Sequence, residues 1–156
     1  LATVTRRKTE QAELKKQIAR DNTILIKSDM EQDLIKAHTT PKEWFGGIVP
    51  DATFLEVPIR NGVHQELLDH LHAAEKHLMD ELHCTSKAEC AKKIGLYEAN
   101  GLRIPKAATG GSRPSMHCYG LAIDLNYEGN PFVGNEKSQT SVKVIERATL
   151  LVTGSA

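Results

Sequence analysis

The chain contains no apolar run near eighteen residues, so no segment of it reads as a helix long enough to cross a bilayer. It is also without an excess of either charge: 20 Lys and Arg balance 20 Asp and Glu. That balance argues against nucleic acid as the main partner, because phosphate binding normally leaves a basic surplus. The start, Leu1-Ala2-Thr3-Val4-Thr5, passes directly into Arg6-Arg7-Lys8 with no apolar h-region of a signal peptide. With no initiating Met, a processed or excised piece is expected. There is no internal repeat and no low-complexity tract. Thr109-Gly110-Gly111-Ser112 is not followed by Gly-Lys-Ser/Thr, so alone it is far too weak a signal for a phosphate cradle. The three cysteines are too few and wrongly spaced for a zinc knuckle, since His83, Cys84 and Cys90 lack a fourth partner. Cys84 and Cys90 are close enough in sequence for a disulfide in an oxidising compartment, and they remain thiols otherwise. Cys118 reads as a small buried hydrophobe.

At 156 residues, 40% hydrophobic and 26% charged, the chain suffices for one domain with a real core and an appended helical segment. Thr5 to about Arg20 is rich in helix formers, and six basic residues against two acids among the first twenty give it a surplus of +4. The favoured reading is a solvated helix or linker; contact with anionic wall polymers or membrane is the alternative. Ser28-Asp29-Met30-Glu31 has the pattern of a capping box opening a second, short helix toward Ala37, which Thr39-Thr40-Pro41 ends. Trp44, in the turn Trp44-Phe45-Gly46-Gly47, is expected to anchor the two parts by packing. The clearest helix runs from Val63 to about Leu82, after the turn Asn61-Gly62, with Val63, Leu67, Leu71, Ala74, Leu78 and Leu82 as its core stripe. His64, His70, His72, His77 and His83 do not make a metal array there, because no two of them are three or four residues apart. A short helix capped by Thr85 or Ser86 runs through Lys92 to Gly95, and a last one is expected from Ser141 to about Leu151. Gly101–Ile104 and Leu121–Asn126 are expected neighbouring strands, joined by the Gly/Pro/Ser-rich loop from Pro105 to Pro114.

The chemistry concentrates in Ser115-Met116-His117-Cys118-Tyr119-Gly120-Leu121-Ala122-Ile123-Asp124. Alternation after Gly120 turns Leu121, Ile123 and Leu125 toward a core and Ala122, Asp124 and Asn126 to the other side. A turn at Tyr119-Gly120 brings His117 back over that side, so an imidazole and a carboxylate face one another. Both are ordinary zinc ligands, and a catalytic zinc takes about three protein ligands and a water. This is half of such a site. No Ser-His-Asp or Cys-His nucleophile competes with a metal-activated water.

The pattern Ser-x-His-x-x-Gly-x-Ala-x-Asp resembles the signature of the D-alanyl-D-alanine carboxypeptidase and D,D-dipeptidase family of zinc peptidases, related to the hedgehog and lysostaphin group. Gly101-Leu102-Arg103-Ile104 and Asn130-Pro131-Phe132 are similar to its carboxypeptidase and phage-endolysin branch, so the resemblance covers about Val57 to Leu151. It implies an α+β fold, a small antiparallel sheet flanked by helices, here preceded by a helical N-terminal segment. Residues 1–50 would be that segment or a linker, and residues 51–156 the peptidase-like domain. It implies Zn2+ held by His117 and Asp124, and Arg103 as the catalytic partner of substrate or oxyanion. Ser115 and Arg113 are the candidate substrate-binding residues. The implied activity is hydrolysis of peptidoglycan stem peptides, first as a D-alanyl-D-alanine carboxypeptidase. The alternatives are an L-alanyl-D-glutamate endopeptidase or a non-catalytic module binding zinc or wall peptide. The implied place is periplasmic, wall-associated or secreted. The family's third ligand, a His closely preceded by a catalytic Glu, follows the Asp by several dozen residues, so the domain is expected to be incomplete at Ala156. Within the chain, Glu128 is a weak candidate for the base, and His77 or His83 for the third ligand.

Overall fold

The computed structural model describes residues 2–108, 111–127 and 129. The fold is α+β, as expected, with helices α1 (Ala2–Lys36), α2 (Pro41–Gly46), α3 (Gln65–Glu81) and α4 (Lys87–Ile94). The strands are short: β1 (Ile48–Val49), β2 (Thr53–Phe54), β3 (Val57–Arg60), β4 (Val63–His64), β5 (Ala99–Asn100) and β6 (Asp124–Leu125). β1 and β4 form an antiparallel pair, and the larger sheet runs in the order β2-β3-β5-β6. Its β3–β5 pairing is parallel while the flanking pairings are antiparallel, so the sheet is mixed. Among the described residues no helix is long and apolar enough to cross a membrane. The helix expected at 141–151 lies outside the described residues.

α1 is one continuous helix, where the sequence pattern suggested two. No Gly or Pro interrupts Arg20 to Ser28, and the Ser28 motif sits mid-helix without capping anything. Ile26, Met30 and Leu34, four residues apart, lie on one face and are buried. They pack with Cys118, Tyr119, Trp44 and Leu121 in a small cluster of their own. Burying each such side chain is worth roughly 1.5–3 kcal/mol, enough to hold the last third of α1 in place. Most of the residues before it, including Val4, Leu14 and Ile18, are exposed.

A polar clamp reinforces this seam. Arg113 donates from one guanidinium nitrogen to both carboxylate oxygens of Asp33, at 2.7 and 2.8 Å, and the Tyr119 hydroxyl donates to Asp33 Oδ2 at 2.8 Å. The Tyr119 hydrogen bond first, and Arg113 second, hold the Asp33 carboxyl below its ordinary value. Burial, followed by the bond to Asp33, pushes the Tyr119 phenol up. A depressed carboxylate pKa stabilises the fold fully above the unfolded value of 3.8, and that contribution is lost as pH falls through the lower folded value. The melting temperatures of wild type and Asp33→Asn should therefore differ at neutral pH and converge only below about pH 4. A gap independent of pH would remove Asp33 from the clamp.

The main core comprises Phe54, Leu55, Ile59, Val63, Leu68, Cys90, Ala91, Leu96 and Ala99, with Leu67, Leu71, Leu78, Met79 and Leu82 packed against it. α3 begins two residues later than its apolar stripe suggested, because Val63 and His64 pair with β1 before His64 caps the helix. Ala74 is exposed rather than part of the stripe, and Glu75, 1% exposed, takes the inner position beside it. Glu75 is fully used: Oε1 accepts from Leu55 N at 2.7 Å and Oε2 pairs with Lys87 Nζ at 2.7 Å. Leu55 and Glu56 form the two-residue hairpin turn between β2 and β3, both in the left-handed region at φ 50° and 64°. That conformation is costly for side-chain-bearing residues, and burial of Leu55 together with the Glu75 bond offsets it.

Cys84, Cys90 and Cys118 are all free thiols. Burial raises the Cys90 thiol pKa, with Cys84 beside it. Cys118 is buried as expected, and Lys106 N–H points at its sulfur at 3.2 Å. His70, His72, His77 and His83 are exposed, consistent with a polar face. His64 is instead buried, with its ring stacked on Trp44 at 3.9 Å between centroids.

Candidate metal centre

His117 sits in a one-turn 3-10 helix, Met116–Tyr119, that Ser115 caps. The Ser115 hydroxyl accepts from His117 N at 3.4 Å, so Ser115 positions the backbone of this turn. Gly120 ends the turn in the left-handed region at φ 72°. A Cβ at Gly120 would lie 2.8 Å from the backbone nitrogen of His64 and 2.6 Å from Ile48 Cδ1. Only glycine lets the chain pass there, with His64 N donating to Gly120 O at 2.9 Å. The Trp44 indole donates to Tyr119 O at 3.0 Å, which ties α2 to the same turn and makes Trp44 the anchor that was expected.

β6 carries Asp124 beside β5, with Asn100 opposite Asp124 and Ala99 opposite Leu125. The paired segments therefore lie slightly upstream of the expected Gly101–Ile104 strand. Ile123 and Leu125 pack on the main core and Leu121 on the smaller cluster, as the alternation implied. Asn126, at φ 50°, closes the strand: its Oδ1 accepts from Tyr97 N and Glu98 N, and its Nδ2 donates to Gly95 O.

The turn returns His117 over Asp124, and Nε2 lies 3.3 Å from Oδ1. His117 Nδ1 is 2.8 Å from Gly101 O. A carbonyl only accepts, so Nδ1 carries the hydrogen, and in the neutral form of the ring the lone pair is at Nε2. Two acceptors thus face each other, an arrangement that a proton or a cation between them relieves. Two ligands held about 2.0–2.1 Å from a tetrahedral ion stand roughly 3.3 Å apart, so the observed separation fits a zinc edge. A ring nitrogen donating to a backbone carbonyl is also the usual orienting contact of a metal-bound histidine. The donor types, tautomer and spacing all suit zinc. Among the described residues, however, no third His, Cys, Asp or Glu joins these two, and neither His77 nor His83 does so. Glu128 lies outside the described residues.

Arg103 pairs with Asp124 through its Nη2 and Asp124 Oδ2. Its own N–H donates to His117 O at 3.0 Å, so strand end, turn and guanidinium form one unit. Arg103 lines two concavities. One, of about 720 Å3, is largely apolar and lies against α1, with Met30, Leu34, Phe45 and Ile104 in its walls. The other, of about 440 Å3, is polar and opens past Asn100, Glu98 and Tyr127.

Of the five residues singled out in the sequence, His117, Asp124 and Arg103 converge, and Ser115 supports them from behind. Arg113 does not join them, because Asp33 holds its guanidinium on α1. The loop carrying Arg113 closes on itself, with Ala108 N donating to Arg113 O and Ser115 N to Lys106 O. Sequence reasoning missed Asp33, whose partners stand 80 and 86 residues away. It also missed the Trp44–His64 stack, where a histidine at a helix start gave no sign of packing on an aromatic ring. No family model, curated protein or solved structure matches the chain.

Proposed function

We propose that the chain is a zinc-dependent peptidase domain acting on peptidoglycan stem peptides, with D-alanyl-D-alanine carboxypeptidase activity, in a periplasmic, wall-associated or secreted setting. The observation that carries this reading is the opposition of His117 Nε2 and Asp124 Oδ1 at 3.3 Å, with the imidazole tautomer fixed by Gly101 O. The resemblance of the Ser115–Asp124 segment to the zinc D,D-peptidase signature supplies the reaction class. His117 and Asp124 would hold the ion, which when bound polarises a peptide carbonyl and activates water.

The chain's own residues have separate tasks. Gly101 O keeps the proton on Nδ1 and so leaves Nε2 free to ligate. Arg103 restrains one oxygen of Asp124, leaving the other directed at the imidazole. Its planar fork also suits a substrate carboxylate or the oxyanion developing at the scissile carbonyl. Ser115 and Trp44 hold the turn that aims His117.

The test is incubation of the zinc-supplied protein with a stem pentapeptide ending in D-alanyl-D-alanine. At most slow release of free D-alanine is expected, because among the described residues only His117 and Asp124 come together as metal ligands. New amino termini without D-alanine would mark an L-alanyl-D-glutamate endopeptidase instead. Saturable binding without cleavage would mark a wall-peptide-binding module, and neither binding nor cleavage would reject all three readings.

A further inference from the structure

The sheet register places Arg60 opposite Asn100, and Asn100 opposite Asp124. Residues paired across adjacent strands project to the same face, so Arg60, Asn100 and Asp124 form one row. The neighbouring row, Ile59, Ala99 and Leu125, faces the core. Arg60 thus shares the face of the candidate metal centre, with its backbone two strands, or about 10 Å, from that of Asp124. It lines the polar concavity of about 440 Å3 together with Arg103, Asn100, Asn61, Glu98 and Tyr127.

Charge in this cleft is unevenly used. Arg103 is paired with Asp124 and Glu98 accepts from Asn100 Nδ2 at 3.1 Å, whereas Arg60 has no ion-pair or hydrogen-bond partner for its side chain among the described residues. With Arg103 held by Asp124 and Glu98 engaged by Asn100, Arg60 is the charge in this cleft left to meet a ligand among the described residues. The planar fork of Arg60 accommodates a carboxylate through two parallel hydrogen bonds. The Glu98 carboxylate in the same wall opposes a dianion more strongly than a monoanion, which favours a carboxylate over a phosphate.

We propose that this cleft is a carboxylate-binding subsite in which Arg60 recognises the free carboxylate of a peptide lying across Asn100 toward Asp124. Its role for turnover rests on the peptidase reading above, but recognition itself requires neither metal nor hydrolysis. Arg60 acts on specificity and is not a catalytic residue.

The test uses the full chain without added metal, titrated with N-acetyl-trialanine and with its C-terminal amide. Binding is followed by amide chemical shifts. The acid should bind about tenfold or more tightly than the amide, as expected for one charge-assisted pair, with shifts centred on Arg60, Asn100 and Tyr127. Arg60→Gln should erase the preference while leaving amide binding unchanged, and Arg60→Lys should restore part of it. Equal binding of acid and amide, no binding of either, or a preference that survives Arg60→Gln would overturn the proposal. Inorganic phosphate binding at Arg60 more tightly than the peptide acid would overturn the assignment to carboxylate. None of these outcomes depends on D-alanine release, so failure of the peptidase reading would be seen separately.

Discussion

Replacing His117 by alanine is expected to end the zinc uptake that the wild-type chain shows. Losing only an orienting partner of a metal ligand costs about 10–100-fold in affinity, and losing the nitrogen donor itself should cost more. The fold should survive, because the turn carrying His117 is held by the Ser115 cap, by Trp44 on Tyr119 O and by Tyr119 on Asp33. The imidazole itself is bonded to Gly101 O, whose loss of a partner costs about 1–3 kcal/mol. Calorimetric titration with zinc reads the effect, with circular dichroism as the control for folding. Asp124→Asn is the second arm and should also weaken uptake, since it replaces the carboxylate and leaves Arg103 without its counter-charge. If wild type takes up no zinc, or if both variants match it, the pair does not hold metal.

The second large effect is expected at Gly101. A Cβ there would stand 2.0 Å from Gly62 O and 2.9 Å from Ile59 Cγ2. The first of these is backbone and cannot step aside as a side-chain tip would. Gly101→Val must therefore disturb the bonds Gly101 N to Arg60 O and Leu102 N to Gly62 O. It must also displace the carbonyl that fixes His117 Nδ1. Overpacking of this kind costs about 1–3 kcal/mol or more. Urea denaturation should show a lowered midpoint, and zinc affinity of the folded fraction should fall about 10–100-fold through the misdirected imidazole. An unchanged midpoint together with unchanged zinc affinity would show that Gly101 O does not orient His117.

These two effects mark where sequence and structure divide. The local grammar of the site was legible in the chain: the alternation from Leu121 to Leu125, the glycine at 120 and the seven-residue spacing of His117 and Asp124 specify a turn and a strand that return one side chain over the other. The helix signals of α3 and α4 were equally local, since Ser86 and Gly95 cap through bonds to neighbours in sequence. The continuity of α1 was less legible, because the capping-box pattern at Ser28 is indistinguishable from an ordinary helical stretch until its hydrogen bonds are known. Glu75 was hidden for a similar reason: a charge inside an apolar stripe is buried only when a backbone donor and a lysine from elsewhere meet it, and Leu55 and Lys87 come from different elements. Tertiary structure alone decided that Arg113 turns to Asp33, that Trp44 stacks on His64, and that Arg60, Asn100 and Asp124 stand in one row. Each depends on strands or helices far apart in sequence being brought side by side, and residue spacing along the chain carries no information about that register.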